Sequence, residues 1–514
     1  MIQKIKTYAN VGLEWHEIII EADSSKSLPT IEIVGLPDAA IKESKERLRG
    51  TFRNAGIQLP NRKIVLNLSP SDIKKVGTSF DLPMAVAILF LIFEDKIKIP
   101  QKEFLYFGEL WLDGNVKRVN GLLPSVISAM HHGYKHFFVP EENVYELEYV
   151  PGIEIYPIGK FDQMIEYFLE GKELCGINQA KNIENLYEQT NTHEVDFAQI
   201  KGQLIAKRAL AIAAAGLHNV LMVGAPWSGK TLLSKAMSSI LPPLGFEEIL
   251  EVSQIYSLVG KLSKDIPLII KRPFRQVHHT ASKISIVGGG SQLTPGEVSL
   301  AHKWILFFDE VTEFPREVLE VLRQPLEDRY VVISRVAGTI QYPANFMFVG
   351  AMNPCKCGYY KDSEKYCSCS LIDIKRYQSK ISWPLLDRID MILEIPREDI
   401  DKILNNIIEE NSGSIKEKVV NARKIQQQRF IWFSITSNSQ ITAKYISELI
   451  PLTDDCKHFL SEASKKLTLS TRVVHRTMKL ARTIADMQWQ ECVSINHLAE
   501  ALQYRSKTMF VEAE

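Results

Sequence analysis

Gly224-Ala225-Pro226-Trp227-Ser228-Gly229-Lys230-Thr231 follows the apolar run Val220-Leu221-Met222-Val223 and precedes a helix-like segment that begins at Leu232. Strand, glycine loop and helix in that order make a phosphate-binding loop. Its glycines let backbone N–H groups turn inward around phosphates, the Lys230 ammonium meets the β- and γ-phosphates, and the Thr231 hydroxyl can ligate Mg²⁺. The reading sets the fold as well as the ligand, because such a loop belongs to a parallel α/β core that carries ATP at its strand ends.

Working outward, the next strands should bring the rest of the chemistry to the same edge. Ile305-Leu306-Phe307-Phe308-Asp309-Glu310 reads as a buried strand delivering two carboxylates, Asp309 to hold Mg²⁺ and Glu310 to polarise an attacking water. Phe346-Met347-Phe348-Val349-Gly350-Ala351-Met352 reads as a third strand, ending in Asn353, whose amide can orient that water and contact the γ-phosphate. Single arginines are ordinarily surface charges. Behind these strands, Arg388 in Leu385-Leu386-Asp387-Arg388-Ile389-Asp390 and Arg472 in Leu469-Ser470-Thr471-Arg472 read as phosphate sensors.

Roughly eighty residues separate Thr231 from Asp309, more than one crossover needs. Lys283-Ile284-Ser285-Ile286-Val287-Gly288-Gly289-Gly290 is expected to form a hairpin in this insertion, and residues 331–340 a second one. From the residues alone they can be packing hairpins whose glycines serve turn geometry.

Composition narrows the partners. Lys plus Arg and Asp plus Glu are both 61, so any nucleic-acid surface must be a local patch. Residues 1–20 lack the basic-then-apolar layout of a signal peptide, and the apolar run at 82–93 is too short to span a bilayer. The expectation is a soluble cytoplasmic protein. Four of the seven cysteines, Cys355, Cys357, Cys367 and Cys369, crowd into one loop. They read as a Zn²⁺ site, as reduced thiols in an ordered loop, or as a redox pair.

The expected architecture is α/β in three domains and a linker: an α/β domain at 1–170, a polar linker at 171–193, an ATPase core of αβα layers at 194–398 holding the insert and the four-cysteine loop, and a helical lid at 399–514. The first part resembles the Lon-type protease domain, with Ser79 of Gly77-Thr78-Ser79-Phe80-Asp81 at the serine position. Leu123 stands where that resemblance places the lysine base, and Lys117 is the nearest substitute. A serine without a base is a poor nucleophile, so a turn or cap role for Ser79 is the expectation.

The blocks Arg272-Pro273-Phe274-Arg275, His278-His279-Thr280, Pro295-Gly296-Glu297-Val298, Phe308-Asp309-Glu310, Ala351-Met352-Asn353-Pro354-Cys355 and Leu385-Leu386-Asp387-Arg388 resemble the YifB/ComM family of magnesium-chelatase-like AAA+ ATPases. Gly35-Leu36-Pro37-Asp38-Ala39 and Phe80-Asp81-Leu82-Pro83 carry the resemblance into the first domain. It implies a helix-2-insert motor assembled as a homo-hexamer and using ATP and Mg²⁺. In the ring motors that this chain resembles, two such hairpins line a pore, which would set Lys283 and Arg335 facing nucleic acid. In that reading Lys230 and Thr231 are Walker A, Asp309 and Glu310 Walker B, and Asn353 sensor 1. Arg388 is the finger given to a neighbouring subunit, and Arg472 is sensor 2. Trp227 departs from the family's usual glycine. The implied function is a DNA helicase or branch-migration translocase acting on recombination intermediates in natural transformation; the alternative is a chelatase-like ATPase that remodels a protein.

Overall fold

The computed structural model describes residues 2–73, 75–98, 103–188, 195–272, 274–290, 293–335, 338–362, 364–397, 409–505 and 510. At its centre is a five-stranded sheet whose order across the sheet is Phe274–Val277, Ile305–Phe308, Met347–Met352, Val220–Gly224, Met391–Ile395. All four pairings are parallel. Val220–Gly224, Ile305–Phe308 and Met347–Met352 are buried along their whole lengths, as strands covered on both faces must be. Their apolar runs are what made them legible. The phosphate-loop strand lies between the strand that ends before Asn353 and the last strand, so its loop opens where connections leave in opposite directions, the usual binding crevice of open parallel sheets.

The helix Lys230–Ile240 starts at Gly229, whose φ of 87° is one that a side chain disfavours. On its far side the C-terminal helix Ser412–Arg429 shares a core with it through Leu233, Met237, Val419 and Ala422, and Ser239 Oγ donates to Ser412 Oγ at 2.7 Å. The helix Thr471–Met487, capped by the Ser470 side chain on Val473 N, completes this helical region. Asp390 fastens it to the sheet, accepting from Arg476 Nη1 at 2.5 Å and from Asn219 N at 2.8 Å.

The N-terminal part is a separate α/β arrangement. A four-stranded sheet ordered Gln3–Val11, Glu14–Ser25, Lys63–Ser69, Thr30–Val34 packs on the helix Asp81–Ile92, and a three-stranded parallel sheet, Phe104–Tyr106, His136–Pro140, Glu154–Ile158, lies beyond it. After Asp81 this helix is apolar all round, as befits one buried on every side from 82 to 90. No helix is long and apolar enough to cross a membrane among the described residues. Asp81 is a buried ion-pair partner of Arg47, at 2.6 Å, and accepts from Leu110 N. The Phe80-Asp81 block therefore has a structural use in this chain.

Two expectations change. Lys283–Val287 is a short helix, because the Ser282 side chain accepts from Ser285 N and caps it; among the described residues of this stretch, Gly288–Gly289 alone pairs in a ribbon, with Thr294–Pro295. The second hairpin forms as read, Tyr330–Arg335 against Gly338–Pro343. Its tip at 336–337 and the Arg335 side chain lie outside the described residues. The 171–193 stretch is also less bare than its composition suggests. Ile177 bridges to Ile155, Glu184–Glu188 is helical, and Tyr187 OH donates to Leu244 O at 2.8 Å; residues 189–193 lie outside the described set.

An apolar seam joins the N-terminal part to the core around the five-stranded sheet. Leu122, Leu123 and Val126 share one buried cluster with Leu244, Ile249, Val252, Ile255 and Trp304. Polar bonds line the seam: Gly121 N to Ser257 O at 3.0 Å, Ser257 Oγ to Glu146 Oε2 at 2.6 Å, and Arg118 Nη2 to Leu262 O at 2.9 Å.

Candidate nucleotide site

Three strand ends and one helix start converge. The Lys230 ammonium donates to Gly224 O at 2.8 Å and Ala225 O at 2.7 Å, and reaches Asn353 Oδ1 at 3.3 Å. Thr231 Oγ1 donates to Asp309 Oδ2 at 3.0 Å. The sheet order explains these contacts, since Met347–Met352 is adjacent to the phosphate-loop strand and Ile305–Phe308 is one further along. Gly224 must be glycine on steric grounds: a Cβ there would fall 2.3 Å from Ile395 O of the neighbouring strand. Trp227 occupies a left-handed position, φ 68°, and its side chain is 98% exposed, so the backbone keeps the turn a glycine would make.

Burial pulls the Lys230 ammonium down to about 8, against the carboxylates of Asp309 and Glu310, which favour its charge. Glu310 has φ 50° and ψ 51°, a left-handed backbone that a non-glycine residue adopts at a cost. Its N–H donates to Asp309 Oδ1 at 3.0 Å. The turn aims two consecutive carboxylates at one edge. A divalent cation fits between Thr231 Oγ1 and Asp309, two hard oxygen donors on the loop and on the strand end.

Arg388 and Arg472 lie elsewhere. Both pair with Glu327, Arg472 Nη2 at 3.4 Å to Oε1 and Arg388 Nη2 to Oε2. They line a cavity of about 1010 Å³ with Arg329, His475 and Arg476. Among the described residues neither guanidinium makes a hydrogen bond to the phosphate loop. Glu327 had no signal in the sequence, being one more acid on a short helix, Arg323–Asp328, ahead of the second hairpin.

The four cysteines come together. Their sulfurs all lie within 4.8 Å of one another. Ser79 is half-buried in a cavity of about 530 Å³ between the N-terminal part and the core, near Thr78, Glu109 and Asn120. Lys117 is committed elsewhere, donating to Glu142 Oε1 at 2.9 Å with its ammonium 4.5 Å above the Trp111 ring. Leu123 is wholly buried in the seam.

Three family models match consecutive stretches: "Subunit ChlI of Mg-chelatase" at 20–143, "Magnesium chelatase, subunit ChlI" at 196–403 and "Magnesium chelatase, subunit ChlI C-terminal" at 409–505. Competence protein ComM of Haemophilus influenzae is 36% identical over 506 residues, covering 98% of this chain and 97% of that protein. The chain belongs to the YifB/ComM family of magnesium-chelatase-like AAA+ proteins. YifB of Escherichia coli is 36% identical over 503 residues, 98% of this chain and 96% of its own. An archaeal Lon protease from Methanocaldococcus jannaschii is 29% identical over 109 residues, 21% of this chain and 16% of that protein. A YifB/ComM protein thus combines a Lon-like first part with an AAA+ core and C-terminal helices, and the family's AAA+ character implies ATP and Mg²⁺ at the loop described above.

Proposed function

We propose that this chain is an ATP-hydrolysing motor that works as a homo-hexameric ring in the cytoplasm and moves on or remodels DNA, branched recombination intermediates included. Lys230 and the 224–231 loop hold the phosphates, and Thr231 and Asp309 hold Mg²⁺. Glu310 polarises the attacking water, and Asn353 orients it beside Lys230. The observation that carries the reading is the split of the machinery. Lys230, Thr231, Asp309 and Asn353 meet in one subunit, while Arg388 and Arg472 are paired at Glu327. A site completed by a neighbour's Arg388 makes assembly a condition for turnover, with Arg472 as sensor 2. Divisions at 170, 193 and 398 are proposed with it, as are a first domain that has lost its peptidase base and a structural Zn²⁺ at the four cysteines. The likeness to a competence protein directs the choice of polymer to DNA. Lys283, exposed at the start of its helix, would be repeated around a ring.

The test is ATPase activity of the purified chain with forked DNA, with single strands and without DNA. DNA should stimulate hydrolysis, and binding should weaken steeply as salt rises. Glu310→Gln should bind ATP and hydrolyse it at least about 100-fold more slowly, while Lys230→Ala should lose nucleotide binding. Mixing Arg388→Ala with Lys230→Ala should restore part of the activity. A chain that neither binds DNA at low salt nor responds to it in turnover would transfer the reading to protein remodelling.

A further inference from the structure

The four cysteines sit on the loop that leaves the strand Met347–Met352 just after Asn353 and returns through the helix Leu371–Gln378. Sulfur separations are 3.3 Å for Cys355 and Cys357, 3.7 Å for Cys355 and Cys367, and 3.5 Å for Cys357 and Cys367. Four thiolates about 2.3 Å from a zinc ion at tetrahedral angles stand about 3.8 Å apart. The cluster therefore has the size of a closed four-sulfur seat. Cys355 is buried, and the other three are half-buried.

This seat is built against the nucleotide site. Gly358, one residue after Cys357, has φ 87° and rests on Pro226 of the phosphate loop; a Cβ on it would lie 2.5 Å from Pro226 Cδ and 2.6 Å from Cγ. Two residues before Cys355, Asn353 Oδ1 accepts from the Lys230 ammonium. Where the loop returns, Gln378 Nε2 donates to Pro354 O at 2.8 Å, and Thr312 Oγ1, just past Glu310, donates to the Tyr377 hydroxyl at 2.5 Å. One short loop thus touches the phosphate loop, the Asn353 strand end and the turn after Glu310.

We propose that a zinc ion held by Cys355, Cys357, Cys367 and Cys369 sets the position of the phosphate loop through Gly358 and Asn353, so that filling of the metal seat governs nucleotide affinity. This rests on the reading of the 224–231 loop as the nucleotide site. The metal would add a cross-link between the outgoing and returning limbs at the cysteines, two of which lie on each, beyond the Gln378–Pro354 hydrogen bond at the loop's base. Without it, the Gly358 turn loses the brace that keeps it on Pro226. A displacement of about 1 Å costs about 100-fold in rate where reacting groups must be held in register, and the loop's N–H groups must be held in register around a phosphate in the same way.

The experiment uses the full chain purified without chelator. Zinc is measured per chain, and a fluorescent ATP analogue is titrated before chelator extraction, after it, and after refilling with Zn²⁺. One zinc per chain is expected, with affinity at least about tenfold weaker on extraction and recovered on refilling. Gly358→Ala keeps all four cysteines, so it should retain its zinc while binding the analogue at least about threefold more weakly as the new methyl pushes on Pro226. Three results would each overturn the proposal: a zinc ratio near zero, unchanged affinity in the metal-free protein, or a Gly358→Ala chain that binds as the parent does. Failure of the zinc-loaded parent to bind the analogue at all would overturn the nucleotide-site reading together with this one, which separates the two.

Discussion

Lys230 must be a cation in a place that disfavours one. Burial brings its ammonium down to about 8, so it is mostly charged at pH 7 and mostly neutral at pH 9. A triphosphate needs the charged form and will raise the pKa again when it binds. Nucleotide affinity should therefore fall by about tenfold between pH 7 and pH 9, and binding near pH 9 should draw a proton from solution. Calorimetry in two buffers of different ionisation heat reads the uptake; a flat affinity profile with no uptake would refute the assignment. Asp309 and Asn353 were legible in the sequence because each follows an apolar run that reads as a buried strand, and Lys230 because it closes the glycine loop after another. Glu327 was not, since its role comes from the folded approach of Arg388 and Arg472, which lie 61 and 145 residues away along the chain.

Among the elements, the joint between the last strand and the helix Thr471–Met487 depends on one carboxylate. Burial works against the charge on Asp390, but Arg476, His218 and the Asn219 N–H outweigh it and hold the carboxyl far below its usual range. Its folded value lies below the unfolded one, so its stabilisation is present above about pH 4 and is lost as the pH falls further. Asp390→Ala leaves Arg476 without its buried partner and should cost roughly 3–5 kcal/mol. The midpoint of thermal unfolding at pH 7 should drop, and the gap between variant and parent should shrink as the pH falls below 4. A variant that melts with the parent at pH 7 would show the joint to be held without this carboxylate, by its apolar contacts and by bonds such as Arg476 Nη1 to Arg388 O. Elements were harder to read than residues in the insertion. Lys283–Val287 has the branched side chains of a strand, yet the Ser282 cap makes it a helix. Local hydrogen bonding won over β propensity there.

For the whole molecule, the seam decides what the Lon-like part can be. Leu123 stands where the protease resemblance puts a lysine, and it is wholly buried among Leu244, Ile249, Val252 and Ile255 of the core. The position has been absorbed into the joint. Leu123→Lys should therefore yield no cleavage of casein and should destabilise the chain by several kcal/mol, roughly 3–5, through an unpaired charge in an apolar site. Thermal unfolding and a casein digest check both halves. Appearance of ATP-dependent cleavage that Ser79→Ala abolishes would mean that the lost peptidase is one substitution away.

The same seam has a history during synthesis. The helix Leu122–His131 leaves the ribosome well before its partner helix Phe246–Leu258 exists. At about 5–20 residues per second the wait is roughly 6 to 25 seconds. For that interval a newborn first domain carries a naked greasy face, at the stage when neighbouring nascent chains offer the wrong partners. Chains halted near residue 230 should associate with holdase chaperones more than chains halted at 330, and the complete protein should shed them.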